Sequence, residues 1–430
     1  MSRTSVVGSG EIAKAEFQQR SEAFIDSRGR IYDGWRVVVG SLVGLTFGQG
    51  AILMFCLGVF VPEWEREFGW GIGTISFGAT LNSMTAMLST LIAGYLVDRL
   101  QPRTVVLWSI IPFGLAVAAL SQLTANISVF YTSLICSMLL GMGVSVVVYN
   151  KATSVWFDKR LGLSLGLANA GLGLGAAILP ALVGLIIAQY DWRAAYIVLG
   201  ALAIALPLPV AWLFVKSRPP IASESSGSSG SSEVGLTLAE SSRTREFWLS
   251  FTGFSILGIA TLPILFHMVR ILMDSGMSAK GAATLQSVLG VALIIGRVTT
   301  GWFLDRFRLG PVMMLLSSMA ALALMLFAMN APFGTAVLCA VLAGFVVGAE
   351  FDILGFLVTR YFGRRAFGVT YGILFAVFQI SGALAIAAVG QLREIQGSYA
   401  VGLSFISALM VVAAVCFARL GPYRFAAQNE

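Results

Sequence analysis

The chain has 430 residues, of which 57% are hydrophobic and 11% are charged, and its mean hydropathy is +0.85. Water-soluble domains carry about 25% charged residues, so the composition excludes a soluble catalytic domain and predicts that most of the chain lies in lipid. The formal net charge of +7 is not gathered into a basic stripe, and we expect no nucleic-acid partner.

The first half of the chain contains six apolar runs. Each is long enough to span a bilayer as a helix, which needs about 20 apolar residues. The runs lie near residues 36–61, 72–97, 104–123, 127–153, 162–189 and 193–215. Residues 1–35 are polar and mixed in charge, and they predict a cytoplasmic N-terminal tail rather than a signal peptide. We expect residues 36–215 to form a six-helix bundle.

A polar stretch at residues 216–246 divides the chain near its middle. Its Gly- and Ser-rich run, Ser223 to Gly230, has the composition of a flexible linker. Six further apolar runs follow it, near residues 247–273, 281–304, 310–329, 333–358, 367–391 and 398–418. The sequence therefore predicts a second six-helix bundle over residues 247–418, followed by a short cytoplasmic tail at residues 419–430.

Basic residues are distributed unevenly between alternate loops. Most of the 28 Lys and Arg residues fall in loops and tails on one side, whereas Arg66, Arg193, Lys280 and Arg393 fall on the other. Because cytoplasmic loops carry the excess of basic residues, both termini and the linker are expected in the cytoplasm. We expect a monomeric, multi-pass protein of a bacterial inner membrane. The four cysteines lie inside apolar runs, so disulfides are not expected.

Two short motifs recur once in each half. The run Gly94-Tyr-Leu-Val-Asp98-Arg99 returns as Gly301-Trp-Phe-Leu-Asp305-Arg306. The run Trp156-Phe-Asp-Lys-Arg160 returns as Tyr361-Phe-Gly-Arg-Arg365 at nearly the same offset. Repeats at a common offset indicate that each half is one copy of a six-helix unit.

The stretch Gly94 to Arg103 resembles the loop 2–3 signature of the major facilitator superfamily, although Gln101-Pro102 stands where that family commonly has glycine. The resemblance implies an all-α membrane protein with twelve transmembrane helices in two six-helix bundles. Asp98 can accept charge-assisted hydrogen bonds from basic groups or helix N-termini across the seam between halves, and these must break when the cytoplasmic side opens. The gating candidates are Asp98, Arg99, Arg103, Asp305 and Arg306.

A motif leading into the fifth helix narrows the resemblance. Residues Trp156 to Gly175, together with Asp33-Gly34-Trp35 at the first helix, resemble the monocarboxylate porter branch and its oxalate/formate exchanger relatives. The resemblance implies a carrier of small organic anions with one carboxylate. The glycines of this motif also recur at the spacing that lets another membrane helix approach closely.

Arg297 in the eighth helix is the candidate for holding the substrate carboxylate. An ionised side chain at a helix centre costs roughly 2.5–3.5 kcal/mol on insertion scales, so it should face a cavity or a partner. Its guanidinium matches a carboxylate in a bidentate manner, and the family resemblance implies that role at this position. The alternative is a structural ion pair with Glu350 or Asp352.

Proton coupling needs a side chain that titrates. The best-known animal members of the family carry an aspartate one turn before this arginine, where this chain has Leu293, so any proton carrier lies elsewhere. The candidates are Glu350 and Asp352 in the tenth helix and His267, the single histidine of the chain. Imidazole as a residue type changes charge near neutral pH. His267 can instead bond to the substrate or to a neighbouring helix.

Further polar and aromatic side chains within the spans are expected to line a pocket. Lys151 and Arg270 either snorkel or reach the cavity, where both together would favour a second anionic group on the substrate. The remaining candidates are Tyr149, Asn150, Gln49, Asn82, Asn169, Tyr371, Phe375 and Gln379. The sequence shows no nucleophile with a base, metal cluster or phosphate-binding loop, so neither an enzyme nor a cofactor is expected.

The leading hypothesis is proton-coupled symport of a small organic acid by rocking of the two halves around a midplane site. The expected partners are that acid, protons and the lipid bilayer. An anion exchanger without proton coupling is the first alternative. A non-transporting sensor or scaffold of transporter fold, and a channel, are alternatives of other classes.

Overall fold

The computed structural model describes residues 32–216, 234–329 and 333–425, and within them twelve helices are long and apolar enough to cross a bilayer. Those of the first half are α1 (Asp33–Phe55), α2 (Ile72–Arg99), α3 (Pro102–Gln122), α4 (Ile127–Ser154), α5 (Leu161–Gln189) and α6 (Trp192–Phe214). Those of the second half are α7 (Arg245–Asp274), α8 (Ala279–Arg306), α9 (Leu309–Ala328), α10 (Gly334–Phe362), α11 (Phe367–Gln396) and α12 (Ala400–Ala418). The protein is therefore a multi-pass, all-helical membrane protein.

The observed helices agree with the apolar runs to within a few residues, and the largest differences have local causes. After α1, a further helix, Leu57–Phe68, continues beyond the predicted end at residue 61. The predicted linker contains a short helix, Leu238–Ser241, because Thr237 and Glu240 form a capping box. The predicted tail residues 1–31, the linker residues 217–233 and residues 426–430 lie outside the described ranges.

The helices pack as two six-helix bundles related by the sequence repeat. In the first half α1 packs on α5, α2 on α4 and α3 on α6; in the second half α7 packs on α11, α8 on α10 and α9 on α12. Between the halves, α5 packs on α8 and α2 packs on α11. These two pairs exchange with one another when the halves are exchanged, so the seam has approximate two-fold symmetry.

Glycines bring the backbones together in both of these inter-half helix pairs. A Cβ atom on Gly94 of α2 would lie 2.2 Å from the carbonyl oxygen of Gly368 in α11. A Cβ atom on Gly162 of α5 would lie 2.2 Å from the carbonyl oxygen of Gly301 in α8. Since real side chains do not tolerate such distances, only glycine permits these contacts.

Both contacts lie at one end of the bundle, which we call the linker end. It carries residues 216 and 234 on either side of the linker, together with the α2–α3, α4–α5, α8–α9 and α10–α11 loops. Residues 234–236 pair with the α10–α11 loop through Leu236 N to Phe362 O (2.8 Å) and Arg364 N to Val234 O (2.9 Å). The α10–α11 loop is thus held by hydrogen bonds to the backbone of residues 234–236.

Candidate functional site

A cavity with a volume of about 570 Å³ lies between the two halves. Helices α1, α2, α4 and α5 of the first half and α7, α8, α10 and α11 of the second half supply its wall. Six of the residues singled out in the sequence line it: Gln49, Arg297, Glu350, Tyr371, Phe375 and Gln379. The structure therefore brings candidates from four different helices to one site.

Arg297 is the basic side chain among the described residues that line the cavity. It is 2% exposed, and its guanidinium lies over the ring of Phe351, 5.4 Å from the ring centre. Its Nη1 lies 3.7 Å from Oδ1 of Asp352, beyond hydrogen-bond distance. Among the described residues, Nε and Nη1 have no hydrogen-bond partner. A buried charged donor without a hydrogen bond costs free energy. A ligand carboxylate that accepted bonds from Nε and Nη1 would remove this cost.

The two acids of α10 occupy different positions beside this guanidinium. Glu350 lines the cavity, is 5% exposed and has one oxygen, Oε1, with no hydrogen-bond partner among the described residues. Asp352 is fully buried behind the cavity wall, where its Oδ1 accepts a hydrogen bond from Asn169 at 2.6 Å. Asp352 is thus the nearer counterion of Arg297, and Glu350 is the acid in contact with cavity space.

Two buried amides join the halves behind the cavity. Asn169 of α5 donates from Nδ2 to Asp352 of α10 and, at 2.9 Å, to Oδ1 of Asn150 in α4. Asn150 donates in turn to the carbonyl oxygen of Phe351 at 3.2 Å. Neither amide lines the cavity. The chain Arg297–Asp352–Asn169–Asn150 therefore connects the site to the seam, and the first half supplies only its amide members.

The other cations of the prediction lie away from the cavity. Lys151 is 1% exposed and forms an ion pair with Asp98, with 2.8 Å between Nζ and Oδ1. Arg270 is more than half exposed and pairs with Asp274 at 3.1 Å, one turn later in α7. His267 contacts the carbonyl oxygen of Ile386 at 3.1 Å through Nε2. The substrate-binding role expected for these three side chains has no support in their positions.

Two further candidates are buried within the first half instead of facing the cavity. Asn82 donates to the carbonyl oxygen of Leu53 at 2.8 Å. Tyr149 is fully buried, and its hydroxyl lies where a Cβ on Gly44 would be. Both side chains therefore fill space between α1 and its neighbours.

Asp98 and Asp305 each cap a helix of the opposite half at the linker end. The carboxylate of Asp98 accepts hydrogen bonds from the backbone N–H groups of Gly368 (2.8 Å) and Val369 (2.9 Å), in the first turn of α11. The carboxylate of Asp305 accepts the corresponding bonds from Gly162 (2.6 Å) and Leu163 (2.8 Å), in the first turn of α5. A carboxylate is favoured there because the helix N-terminus carries unsatisfied N–H groups and partial positive charge.

The three arginines of the predicted gate contact groups of their own half. Arg99 lies over Tyr95, with 4.4 Å between its guanidinium carbon and the ring centre, and Arg306 lies over Trp302 at 5.7 Å. Arg103 donates to the carbonyl oxygen of Trp212 at 2.9 Å. In this structure the inter-half hydrogen bonds of the repeat are accepted by its aspartates, and these arginines contribute none that the described residues show.

Sequence reasoning missed one inter-half ion pair at the linker end. Arg360 of α10 lies 2.5 Å from Asp158 in the α4–α5 loop, and Arg364 donates to the carbonyl oxygen of Phe157 at 3.2 Å. A signal was present, because the second repeated motif places both loops at equivalent positions of the two halves. These contacts, with those of Asp98 and Asp305, join the two halves at the linker end.

Comparison with known proteins gives a family match over most of the chain. The family model described as "Major Facilitator Superfamily" matches residues 43–386. Monocarboxylate transporter 13 of Rattus norvegicus is 27% identical, with 85% of this chain and 84% of that protein covered. Monocarboxylate transporter 12-B of Danio rerio is 24% identical, with coverages of 90% and 87%. The solved E. coli fucose:proton symporter FucP superposes with a TM-score of 0.68 at 17% identity, covering 89% of this chain and 98% of its own.

Proposed function

Since the chain belongs to the Major Facilitator Superfamily, we propose that it is a secondary carrier of monocarboxylates that works by proton symport. The observation that carries this proposal is Arg297, buried in the cavity wall with two nitrogens lacking a hydrogen-bond partner among the described residues. A bidentate carboxylate would satisfy such donors. The names of the similar curated proteins support the same substrate class.

Charge balance supplies the reason for a proton. Without substrate, Asp352 is the counterion nearest to Arg297. A substrate carboxylate on the same guanidinium would add one negative charge to a buried site whose single cation already has a counterion, and burying an unpaired charge is expensive. Protonation of Asp352 removes that charge, so the acid and the proton cross together. Glu350 lines the cavity, where it can take up a proton and pass it on to Asp352.

The amide chain behind the cavity gives a route by which this charge change reaches the seam. While Asp352 is ionised, its bond from Asn169 is charge-assisted and holds α10 against α5. Protonation leaves an ordinary neutral bond, which is roughly half as strong. Loading of the site would therefore weaken one inter-half contact and favour rocking of the halves.

We infer that the linker end faces the cytoplasm, because most of the Lys and Arg residues lie in the loops and tails on that side. In that orientation the bonds of Asp98 and Asp305 hold the two halves together on the cytoplasmic side, which is the arrangement expected of an outward-facing state. Met54 and Phe55, each 45% exposed, line the cavity on its side away from the linker end. Opening toward the cytoplasm would require the four backbone bonds to these aspartates to break.

The test is uptake of labelled monocarboxylates into proteoliposomes with and without an inward proton gradient. The native protein is compared with Arg297→Ala and with Arg270→Ala, a control that removes an exposed arginine. We expect gradient-driven uptake by the native protein and the control, and a loss of at least about 30-fold for Arg297→Ala, since truncating one partner of a buried charge pair costs roughly 2–5 kcal/mol. Gradient-independent exchange would favour an antiporter, and unchanged uptake by Arg297→Ala would remove this residue from the site.

A further inference from the structure

The cavity wall differs in polarity between the two halves. The second half supplies Arg297 and Glu350, whereas the bulky first-half residues are apolar: Leu45, Met54, Phe55, Met138 and Leu172. The first half also lines the cavity with Gln49, Thr90 and Ser145, but each of these side chains bonds to a group of the first half itself. A ligand that bridges the halves therefore meets charge on one side and hydrocarbon on the other.

The charged side of the cavity suits one carboxylate and not two. Among the described lining residues, Arg297 is the one basic side chain, and Glu350 is the acid beside it. Lys151 and Arg270, which could have matched a second anion, are paired with Asp98 and Asp274 away from the cavity. A second carboxylate on the ligand would face apolar residues or an acid, which is unfavourable for an ionised group.

Aromatic rings run from the guanidinium along the second-half wall. Phe351 lies under Arg297, and its ring centre is 5.7 Å from that of Phe375. Phe375 is also 6.3 Å from Tyr371 and 6.2 Å from Phe378, and all four rings line the cavity. Phe351 and Phe375 are only partly buried and line the cavity, so part of each ring can contact a ligand. Rings at these separations interact favourably with a further ring.

From these observations we propose the substrate class of the site: a monocarboxylate with a bulky apolar body, preferentially an aromatic ring, and no second charge. The carboxylate binds Arg297, the ring lies against Phe351 and Phe375, and the far side packs on the apolar first-half wall. The cavity, with a volume of about 570 Å³, has room for such a body. A two- or three-carbon acid would leave most of this volume unfilled. The substrate class rests on the proposed function, because it takes Arg297 as the carboxylate anchor.

Equilibrium binding to the purified full chain in detergent tests this class separately from transport. The probes are acetate, butyrate, hexanoate, cyclohexylacetate, phenylacetate, lactate and succinate. Affinity should rise about fourfold for each methylene buried, from the free energy of burying that group. Phenylacetate should bind more tightly than cyclohexylacetate of similar size, whereas lactate and succinate should bind weakly.

Two substitutions assign the ring contact. Phe375→Leu keeps most of the side-chain volume and should weaken the binding of phenylacetate several-fold more than that of acetate, because acetate has no ring to pair with the aromatic ring that is removed. Phe266→Leu is the matched control, since Phe266 is 71% exposed and does not line the cavity. An equal loss of acetate and phenylacetate in Phe375→Leu would overturn the contact.

The outcomes separate this substrate class from the proposed function. Tighter binding of lactate or succinate than of phenylacetate, with Arg297→Ala abolishing it, would overturn the substrate class and leave the carboxylate carrier standing. Binding of no acid would overturn both. Binding that rises along the series from acetate to phenylacetate, is lost in Arg297→Ala and is weakened for phenylacetate in Phe375→Leu would support the class.

Discussion

Asp352 of α10 lies 3.7 Å from Arg297 of α8, between Oδ1 and Nη1, and both side chains are almost completely buried. The same Oδ1 atom accepts a hydrogen bond from Asn169 of the other half, whereas Oδ2 has no hydrogen-bond partner among the described residues. One carboxylate thus serves an ion pair within the second half and a hydrogen bond between the halves. A change in its charge acts on both contacts together.

Substitution of Asp352 by Asn is expected to separate exchange from proton-driven accumulation. Asn has the shape of a protonated Asp, so it imitates the loaded site and removes the group that we propose carries the proton. Counterflow of labelled monocarboxylate should therefore persist, while accumulation driven by an inward proton gradient should be lost. Asp274→Asn, which removes an acid from an exposed ion-pair group, is the control and should keep both activities. If proton-driven accumulation survives in Asp352→Asn, a side chain other than Asp352 carries the proton.

Loss of either capping carboxylate is expected to open the linker end. Asp305→Asn replaces one of the two accepting oxygens by an NH2 group and removes the charge from the other bond to the first turn of α5, and a hydrogen bond to a charged group contributes about 1.5–3 kcal/mol. Amide hydrogen exchange in the first turn of α5 should then be faster by roughly 10-fold or more. Asp98→Asn should do the same for α11 at Gly368 and Val369.

The control for these substitutions is Asp191→Asn. Asp191 also caps a helix, since its Oδ1 accepts from Ala194 N at 2.6 Å, but that helix, α6, belongs to the same half. Asp191→Asn should speed exchange in the first turn of α6 alone. Faster exchange at α5 and α11 in this variant would show that general loss of stability, and not opening of the seam, is being measured.

Gly368→Ala is expected to prevent close approach of α2 and α11. The added Cβ would lie 2.1 Å from the carbonyl oxygen of Gly94, so the backbones must separate. Spin labels on the α2–α3 and α10–α11 loops, in a cysteine-free background, should then report a longer distance across the linker end. Gly184→Ala is the control, because a Cβ there meets no atom within 4 Å. An unchanged distance in Gly368→Ala would contradict the role of this contact in closure.

Acid is expected to weaken the contact of the helix Leu57–Phe68 with α6. The hydrogen bond from Arg193 holds the pKa of the Glu67 carboxyl below its ordinary value. A depressed pKa means that the stabilisation is present at neutral pH and is lost as the pH falls through the folded-state value, below 4.5. The effect should be less than about 1 kcal/mol, because the pair is exposed.

Thermal unfolding of the detergent-solubilised protein at neutral and acid pH measures this effect. Glu67→Gln should lower Tm slightly at neutral pH and leave it nearly unchanged in acid, where native Glu67 is already protonated. Glu394 is exposed, and Glu394→Gln is the control substitution. The difference in Tm between neutral and acid pH should be the same for this variant as for the native chain. An equal loss of Tm at both pH values in Glu67→Gln would mean that packing of this side chain, not its charge, supplies the stability.

The helices could be predicted because their apolar runs match the thickness of a bilayer, and the repeat of Asp98 at Asp305 indicated the seam. Depth along a helix was also readable, which placed Arg297 near the level of the cavity. The sequence did not show which way the side chains of Lys151 and Arg270 point from their helices. These helices are apolar on nearly all sides, so no polar face marks the side that lines the cavity. Lys151 turns to Asp98 and Arg270 to Asp274, and only the packed structure distinguishes these positions from the cavity.

The donors that Asp98 and Asp305 engage are backbone amides, and this limits how the protein can vary. No exchange of residue types at positions 162, 163, 368 or 369 removes an N–H group, except replacement by proline. Genetic selection for altered opening should therefore repeatedly recover changes at the two acceptors or at the glycines beside them. Suppressors of Asp305→Asn should arise at distant inter-half contacts such as Asp158 with Arg360, because a new donor side chain cannot replace the accepting carboxylate oxygen that this substitution removes.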